Sequence, residues 1–201
     1  MCIRDRFKEE HPDVELRLDV GNRQHAYERL LANEADFAVV GRAWLRSDVP
    51  LTVRPFLPNE LIAIAAPGHP LAGARRVSLA RLADEPFIHR EPGSGTRETA
   101  EEALAKTGRS VHVAMELASN GAIKRAVARG LGVAILSRHA VSLELRLGAV
   151  VELPVTGFPL HREWHLVYPR SRRLGPVGEA FLSFVDEGRW RDLVGEGLTT
   201  D

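Results

Sequence analysis

The spacing of hydrophobic residues along the chain alternates between the period of two that is typical of strands and the spacing that is typical of helices. This alternation predicts an α/β fold. Residues 14–20 carry apolar side chains at every second position, which is typical of a strand with one buried face. Residues 22–33 follow with helical spacing and with Asn22 as a candidate N-cap. Residues 36–40 form a second apolar run that Gly41 closes. Strand, helix and strand in this order predict a parallel β-α-β unit.

Strands and helices continue to alternate over the rest of the chain. The segment Pro-Gly-His-Pro at residues 67–70 interrupts the pattern, and we predict a lobe boundary there. The further strands are predicted at residues 51–56, 61–66, 86–89, 111–117, 133–136 and 164–168. The further helices are predicted after Ser78, at 96–106 and 121–129, from Ser137 to 147, and around 177–185.

Composition and charge narrow the classes of function. Lys plus Arg (27) equal Asp plus Glu (27), so no overall field draws the chain to DNA or to an anionic membrane. A single cysteine, Cys2, excludes an internal disulfide and suits a reducing compartment. The apolar runs are far shorter than the about 20 residues of a membrane helix. The charged first ten residues do not resemble a secretory signal. We therefore expect a cytoplasmic protein.

A glycine-containing loop with the sequence Arg-Glu-Pro-Gly-Ser-Gly-Thr-Arg joins a predicted strand to a predicted helix. Gly93 and Gly95 let the backbone approach a ligand, and free amide groups at a helix start attract an anion. Ser94 and Thr96 add hydroxyls, and Arg97 adds a fork of donors suited to phosphate or carboxylate. The alternative is a capped helix with a flexible entry loop, since the lysine of a phosphate-binding loop is lacking.

Other candidate effector-binding residues lie at predicted strand ends and helix starts. Ligands of open parallel sheets bind outside the carboxyl ends of the strands, so these positions are expected to line one cleft. Helix capping is the alternative explanation for each polar residue considered alone. The candidates outside the glycine loop are Asn22, Arg23, Gly41, Arg42, Ser119 and Asn120.

The sequence nominates no metal site, cofactor or catalytic residue. The eight histidines show no ligand spacing with cysteines or carboxylates. His161 and His165 point the same way on a strand, but no third ligand is evident. Ser94 lacks the Gly-x-Ser-x-Gly context of a hydrolase nucleophile. We therefore expect neither an enzyme nor a metalloprotein.

Several motifs together resemble the effector domains of LysR-type transcriptional regulators. The resemblance covers nearly all of the chain from Phe7 to about Trp190, and it is closest to regulators of Calvin-cycle (RuBisCO) operons, with sulfur-metabolism regulators next. The motifs are Phe-x-x-x-His-Pro-x-Val-x-Leu at residues 7–16, Gly-Asn-Arg at 21–23, Gly-Arg at 41–42, Pro-Gly-His-Pro-Leu at 67–71, Glu-Pro-Gly-Ser-Gly-Thr-Arg at 91–97, and Met-Glu-Leu through Ser-Asn to Gly-Leu-Gly at 115–132.

The resemblance implies a two-lobed fold similar to type 2 periplasmic binding proteins. Residues 1–66 with 161–201 would form the first lobe and residues 67–160 the second, with the effector between them. Family members also carry an N-terminal winged helix-turn-helix, a linker helix and a first strand that this sequence does not contain. We therefore expect a chain that begins within a domain, with residues 1–6 foreign to it.

The function implied by the resemblance is the sensing of a small anionic, phosphorylated metabolite that favours closure of the lobes. In the intact regulator, closure would change the geometry of a homo-oligomer, a dimer or tetramer, whose contact with DNA lies in the missing domain. Two other classes remain open. A transport solute-binding protein would require a signal peptide, and an enzyme on this fold would require a base or nucleophile in the cleft.

Overall fold

The fold consists of helices and strands that alternate along the chain. The structure is a computed structural model and describes residues 3–43, 50–188 and 190–191. The helices are α1 (Ile3–Glu10), α2 (Arg23–Leu31), α3 (Leu79–Ala83), α4 (Gly95–Ala105), α5 (Asn120–Ala128), α6 (Arg138–Arg146) and α7 (Pro176–Glu187). The strands are β1 (Ala38–Val40), β2 (Leu51–Ala65), β3 (Phe87–Arg90), β4 (Val113–Leu117), β5 (Ala134–Ser137), β6 (Val151–Glu152) and β7 (Leu160–Pro169).

Local capping chemistry explains where two of the predicted helices begin. The side chain of Asn22 accepts a hydrogen bond from the backbone N–H of His25 at 2.8 Å, so α2 starts directly after it. The hydroxyl of Ser78 accepts from the backbone N–H of Arg81 at 3.1 Å and starts α3 in the same way. The predicted starts of both helices are confirmed.

Two long antiparallel strands, β2 and β7, pair at the centre of the main sheet. The main sheet has the order β1-β7-β2-β5, and β6 pairs with β2 at its far end. Strands β3 and β4 form a parallel pair, and a bridge between Phe87 and Val133 joins β3 to the start of β5. The two apolar runs predicted as separate strands, residues 51–56 and 61–66, are the two halves of β2.

The hydrophobic core divides between the two ends of β2 and β7, and this division defines two lobes. Val53 and Phe56 of β2 and Leu166 of β7 pack in clusters with α1, α2 and α7, which we call the first lobe. Leu61 of β2 and Leu160 of β7 pack in clusters with α3 to α6, which we call the second lobe. The chain therefore passes between the lobes within β2, before the predicted boundary at residue 67, and returns within β7.

A buried polar pair lies where β2 crosses between the lobes. The hydroxyl of Ser137 at the end of β5 donates a hydrogen bond to Oδ1 of Asn59 at 2.7 Å, and both residues are buried. A buried polar group that is left without a partner costs free energy, so this bond favours one register of β2 against β5. The pair fixes the geometry of the crossover beside the gap between the lobes.

The predicted parallel β-α-β opening is wrong. Residues 14–20 form no strand, and Leu18 and Val20 are 61% and 82% exposed. Strand β1 pairs antiparallel with β7. Alternation of apolar residues shows that a face can be buried, but a strand also requires a neighbour that supplies backbone hydrogen bonds, and the described residues offer none to this segment.

The segment predicted to be foreign, residues 1–6, is helical from Ile3 onward. Ile3 packs against the aromatic cluster around Phe7 in the first lobe, so it is part of the folded unit. Met1 and Cys2 lie outside the described residues. None of the described helices is both long and apolar enough to cross a membrane. The described residues also contain no group of three His, Cys, Asp or Glu side chains arranged to hold a metal ion.

Candidate functional site

The start of α2 reaches from the first lobe to the glycine loop of the second. Asn22 uses its oxygen to cap α2, and its Nδ2 donates a hydrogen bond to the carbonyl oxygen of Pro92 at 3.1 Å. A Cβ placed on Gly93, where φ is +80°, would lie 3.1 Å from Oε1 of Gln24 and 3.4 Å from Nδ2 of Asn22. Glycine is needed here because the backbone is left-handed and the first lobe is close.

An arginine cluster, Arg23, Arg42 and Arg162, lines the gap between the lobes. Arg23 bonds through Nη2 to the carboxylate of Glu98 on α4. Arg42 donates through Nη1 to Oε1 of Glu102 on the same helix at 2.6 Å. Arg162 on β7 donates through Nη1 to the carbonyl oxygen of Gly95 at 2.9 Å. Residues far apart in sequence thus place guanidinium groups at the start of α4.

Arg162 has an unused donor at the centre of this cluster. Its Nη2 atom is buried and has no hydrogen-bond partner within the part of the chain that the structure describes. A Cβ on Gly95 would lie 3.5 Å from this atom, and one on Gly41 would lie 3.6 Å from it, so both glycines leave the space beside it open. A buried cationic donor without an acceptor is the arrangement expected where an anion binds.

Burial and the surrounding charges together lower the pKa of Arg162. Burial, followed by the positive charges of Arg42 and Arg23, lowers the pKa of Arg162 to about 10, and the carboxylates of Glu102 and Glu98 partly oppose this shift. Arg162 is therefore protonated at neutral pH, although its surroundings favour the loss of its charge. An additional anion in the gap would relieve this repulsion.

A cavity of about 300 Å³ opens beside the arginine cluster. Its residues come from the segment directly after β1, from α4 and from β7, so it lies between the two lobes. Nδ1 of His165 is also buried and lacks a partner among the described residues. The cavity is lined by Gly41, Arg42, Ala43, Thr99, Glu102, Arg162, Glu163 and His165.

A larger cavity of about 630 Å³ lies within the second lobe, away from the predicted site. Four of its eight lining residues are apolar, and it contains none of the residues predicted to bind an effector. Its lining residues are Leu71, Ala74, Arg76, Val77, Ser78, Leu79, Arg81 and Thr156.

The structure does not bring Arg97 into the arginine cluster. Its guanidinium donates to the backbone oxygen of Arg90 at 3.1 Å and to the carboxylate of Glu101 at 2.7 Å, and it also pairs with Glu116. These ion pairs and their hydrogen bonds raise the pKa of Arg97. All of these partners belong to the second lobe. Arg97 and Glu98 are adjacent on α4, but consecutive helical residues point about 100° apart, so they face different neighbours.

The remaining predicted residues of the second lobe lie at the starts of α4 and α5. Ser94 and Ser119 occupy N-cap positions, and within these described residues neither side chain makes a capping hydrogen bond. Ser94 is buried, Ser119 is exposed, and Thr96 is half-buried in the first turn of α4. Oδ1 of Asn120 accepts a hydrogen bond from Nη1 of Arg90 at 2.9 Å. Gly95 and Arg42 are in direct contact across the gap, with a Cβ on Gly95 only 3.3 Å from Cβ of Arg42.

Sequence reasoning missed Arg162 and the two glutamates that face the arginines, Glu98 and Glu102. A signal for Arg162 was present in the strand pattern. Side chains two apart on a strand share a face, and Arg162 shares its face with Trp164 and with the buried Leu166. An arginine on a face that the pattern predicts to be buried is a candidate ligand contact.

These features define a two-lobed α/β domain with a cluster of three arginines in the gap between its lobes. The model for the LysR substrate binding domain matches residues 3–189, and the chain belongs to that family. A RuBisCO operon transcriptional regulator from Allochromatium vinosum is 42% identical over 89% of this chain and 59% of its own length. The transcriptional activator CmpR of Synechocystis is 40% identical over 89% of this chain and 58% of its own length. The chain thus spans about six tenths of these regulators.

Solved structures show the same fold. The CcmR regulatory domain of Synechocystis PCC6803 in complex with 2-PG has a TM-score of 0.83 and 33% identity, covering 91% of this chain and 87% of that one. The effector binding domain of QuiR in complex with shikimate has a TM-score of 0.79 at 19% identity, covering 91% and 86% of the two chains. The prediction of a LysR effector domain with a periplasmic-binding-protein-like fold is confirmed.

Proposed function

We propose that this domain binds a small phosphorylated carboxylate, of the class of 2-phosphoglycolate, in the gap between its lobes. The arginine cluster carries the proposal, because it places an unused buried donor beside an open cavity. The resemblance to a regulatory domain solved with 2-PG supports the same class of ligand. Guanidinium groups bind phosphate and carboxylate oxygens through paired, charge-assisted hydrogen bonds.

The proposed site combines residues from both lobes. Arg162 and Arg42 would bind the most highly charged group of the effector. The hydroxyls and amide groups at the starts of α4 and α5 would bind its other end, as helix starts do for anions. The predicted residues retained in this proposal are Asn22, Arg23, Gly41, Arg42, Ser94, Gly95, Thr96, Ser119 and Asn120.

Binding is proposed to act by stabilising one arrangement of the lobes. An effector shifts such an equilibrium only through its differential affinity for the two states, and couplings of about 1 to 3 kcal/mol are typical. We further propose that the full regulator is a cytoplasmic homo-oligomer that controls carbon-fixation genes and contacts DNA outside this chain. The curated relatives are transcriptional regulators, and we propose binding without catalysis here as well.

Calorimetric titration with 2-phosphoglycolate and with glycolate tests the proposed ligand class. We expect 2-phosphoglycolate to bind saturably with a stoichiometry of one per chain. Loss of the phosphoryl group removes charge-assisted hydrogen bonds worth about 2 kcal/mol, so glycolate should bind roughly 30-fold more weakly. Equal affinities for the two compounds, or no heat from either, would contradict the proposal.

A variant of Arg97 distinguishes the site predicted from the sequence, which includes Arg97, from the arginine cluster proposed here, which does not. Because its guanidinium is already bound to Glu101, Glu116 and the Arg90 carbonyl, we expect Arg97→Ala to change the Kd for 2-phosphoglycolate by about threefold or less. Titration of the variant beside the unmodified chain measures the ratio. A loss of binding comparable to that of a cluster arginine would restore Arg97 to the site.

A further inference from the structure

Two carboxylates of the second lobe, Glu98 and Glu102, already bind the arginines that line the gap. They lie four residues apart on α4 and therefore on one face of that helix. Glu98 pairs with Arg23 and also lies 3.9 Å from Nη1 of Arg42, while Glu102 lies 2.6 Å from that same nitrogen. Each of these pairs crosses from one lobe to the other.

The carboxylates make the contacts that an anionic effector would make. Three arginines face two glutamates, so the cluster keeps one positive charge that is not balanced within it. The unbalanced donor is Nη2 of Arg162. A dianionic ligand placed against Arg162 would also lie beside Arg42, and it would then meet the carboxylate of Glu102. Because the ligand and the Glu102 carboxylate are both negative, they repel each other and cannot both bind Arg42 at low cost.

The exposure of the two glutamates shows that they can be displaced. The side chain of Glu102 is 59% exposed and that of Glu98 is 37% exposed, whereas that of Arg23 is only 11% exposed. A rotamer change therefore moves either carboxylate into solvent, where it is hydrated.

We propose that Glu98 and Glu102 act as an internal anion that occupies the arginine cluster in the unliganded domain and is displaced by the effector. This inference rests on the proposed function and adds the regulation of the same site. The two glutamates weaken effector binding, so the regulator responds only when the effector reaches a higher concentration. They also hold the lobes together through ion pairs before any effector arrives.

The test compares the unmodified domain with Glu98→Gln/Glu102→Gln in titrations with 2-phosphoglycolate and with inorganic phosphate. Glutamine keeps the shape of the side chain but removes the competing charge. We expect both anions to bind the double variant about tenfold more tightly, because a close charge pair no longer has to be broken. The matched control is Glu101→Gln/Glu116→Gln, which removes the same charge from the pair that faces Arg97. The control should change the Kd by about twofold or less.

Affinity that is unchanged or weaker in Glu98→Gln/Glu102→Gln, while the unmodified domain binds 2-phosphoglycolate, would overturn the inference and leave the proposed function intact. A gain of the same size in the control would also overturn it, because the effect would then reflect net charge alone. If the double variant does not fold, Glu102→Gln replaces it, and we expect a gain of about threefold. Absence of binding in every protein, including the unmodified domain, would instead overturn the proposed function.

Discussion

Arg162→Ala is expected to weaken the binding of 2-phosphoglycolate by roughly 30- to 150-fold, or about 2 to 3 kcal/mol. Nη2 of Arg162 is buried without a partner in the described part of the chain, so it is the donor that an anion would gain most by contacting. Arg162 remains protonated at neutral pH even though its pKa is lowered to about 10, so its full charge is available to the ligand. Calorimetric titration at pH 7 measures the change in Kd.

Two companion variants show whether the loss comes from this guanidinium. Arg162→Lys keeps the positive charge but lacks the planar pair of donors, so we expect an intermediate loss of about tenfold. Arg54→Ala changes the net charge equally, but Arg54 pairs with Asp186 in the first lobe and should leave the Kd within about twofold. If Arg162→Ala and Arg54→Ala bind alike, the arginine cluster is not the anion site.

Local sequence signals predicted the elements of the fold better than their pairing. The caps at Asn22 and Ser78 and the periodic runs placed most helices and strands within a few residues of their observed bounds. Pairing was missed because it depends on strands distant in sequence. The alternation over residues 14–20 carries no information on whether a neighbouring strand is present, and residues 38–40 give no sign that β7 will lie antiparallel to them.

The sequence also predicted part of the candidate site, namely the segments that approach each other, but not all of its charged residues. Glycines in the loop before α4, and the polar residues at the start of α2, indicated where the chain could approach a ligand, and the structure brings these two segments together. The sequence did not show which face of α4 meets the other lobe, so Arg97 was predicted to bind the effector and Glu98 was missed. Arg162 was missed because β7 comes beside Gly95 only through long-range packing.

The position of the glycine loop depends on how β3 is held to β5. The backbone N–H of Ile88 donates to the carbonyl oxygen of Val133 at 2.9 Å, and the N–H of Val133 donates to the carbonyl oxygen of Pro86 at 2.9 Å. Strand β3 leads directly into the loop and then into α4, which carries the carboxylates that face the arginines. Any substitution that separates β3 from β5 should therefore affect both stability and binding.

A side chain at Gly132, which precedes β5, would separate the two strands in this way. Gly132→Ala is therefore expected to lower the free energy of unfolding by about 3 kcal/mol or more. Its φ is +155°, and an added Cβ would lie 2.5 Å from the carbonyl oxygen of Pro86, which accepts the hydrogen bond from Val133. The backbone of β3 must move to relieve this contact. Urea unfolding measures the loss, and titration with 2-phosphoglycolate should show weaker binding where the variant still folds.

The matched control is Gly130→Ala, two residues earlier in the same turn. Gly130 has a φ of +76°, but an added Cβ would meet no atom within 4 Å, so only the backbone conformation is penalised. We expect a loss of about 1 kcal/mol and an unchanged Kd. Equal losses of stability in the two variants would show that the contact with Pro86 is not what makes Gly132 necessary.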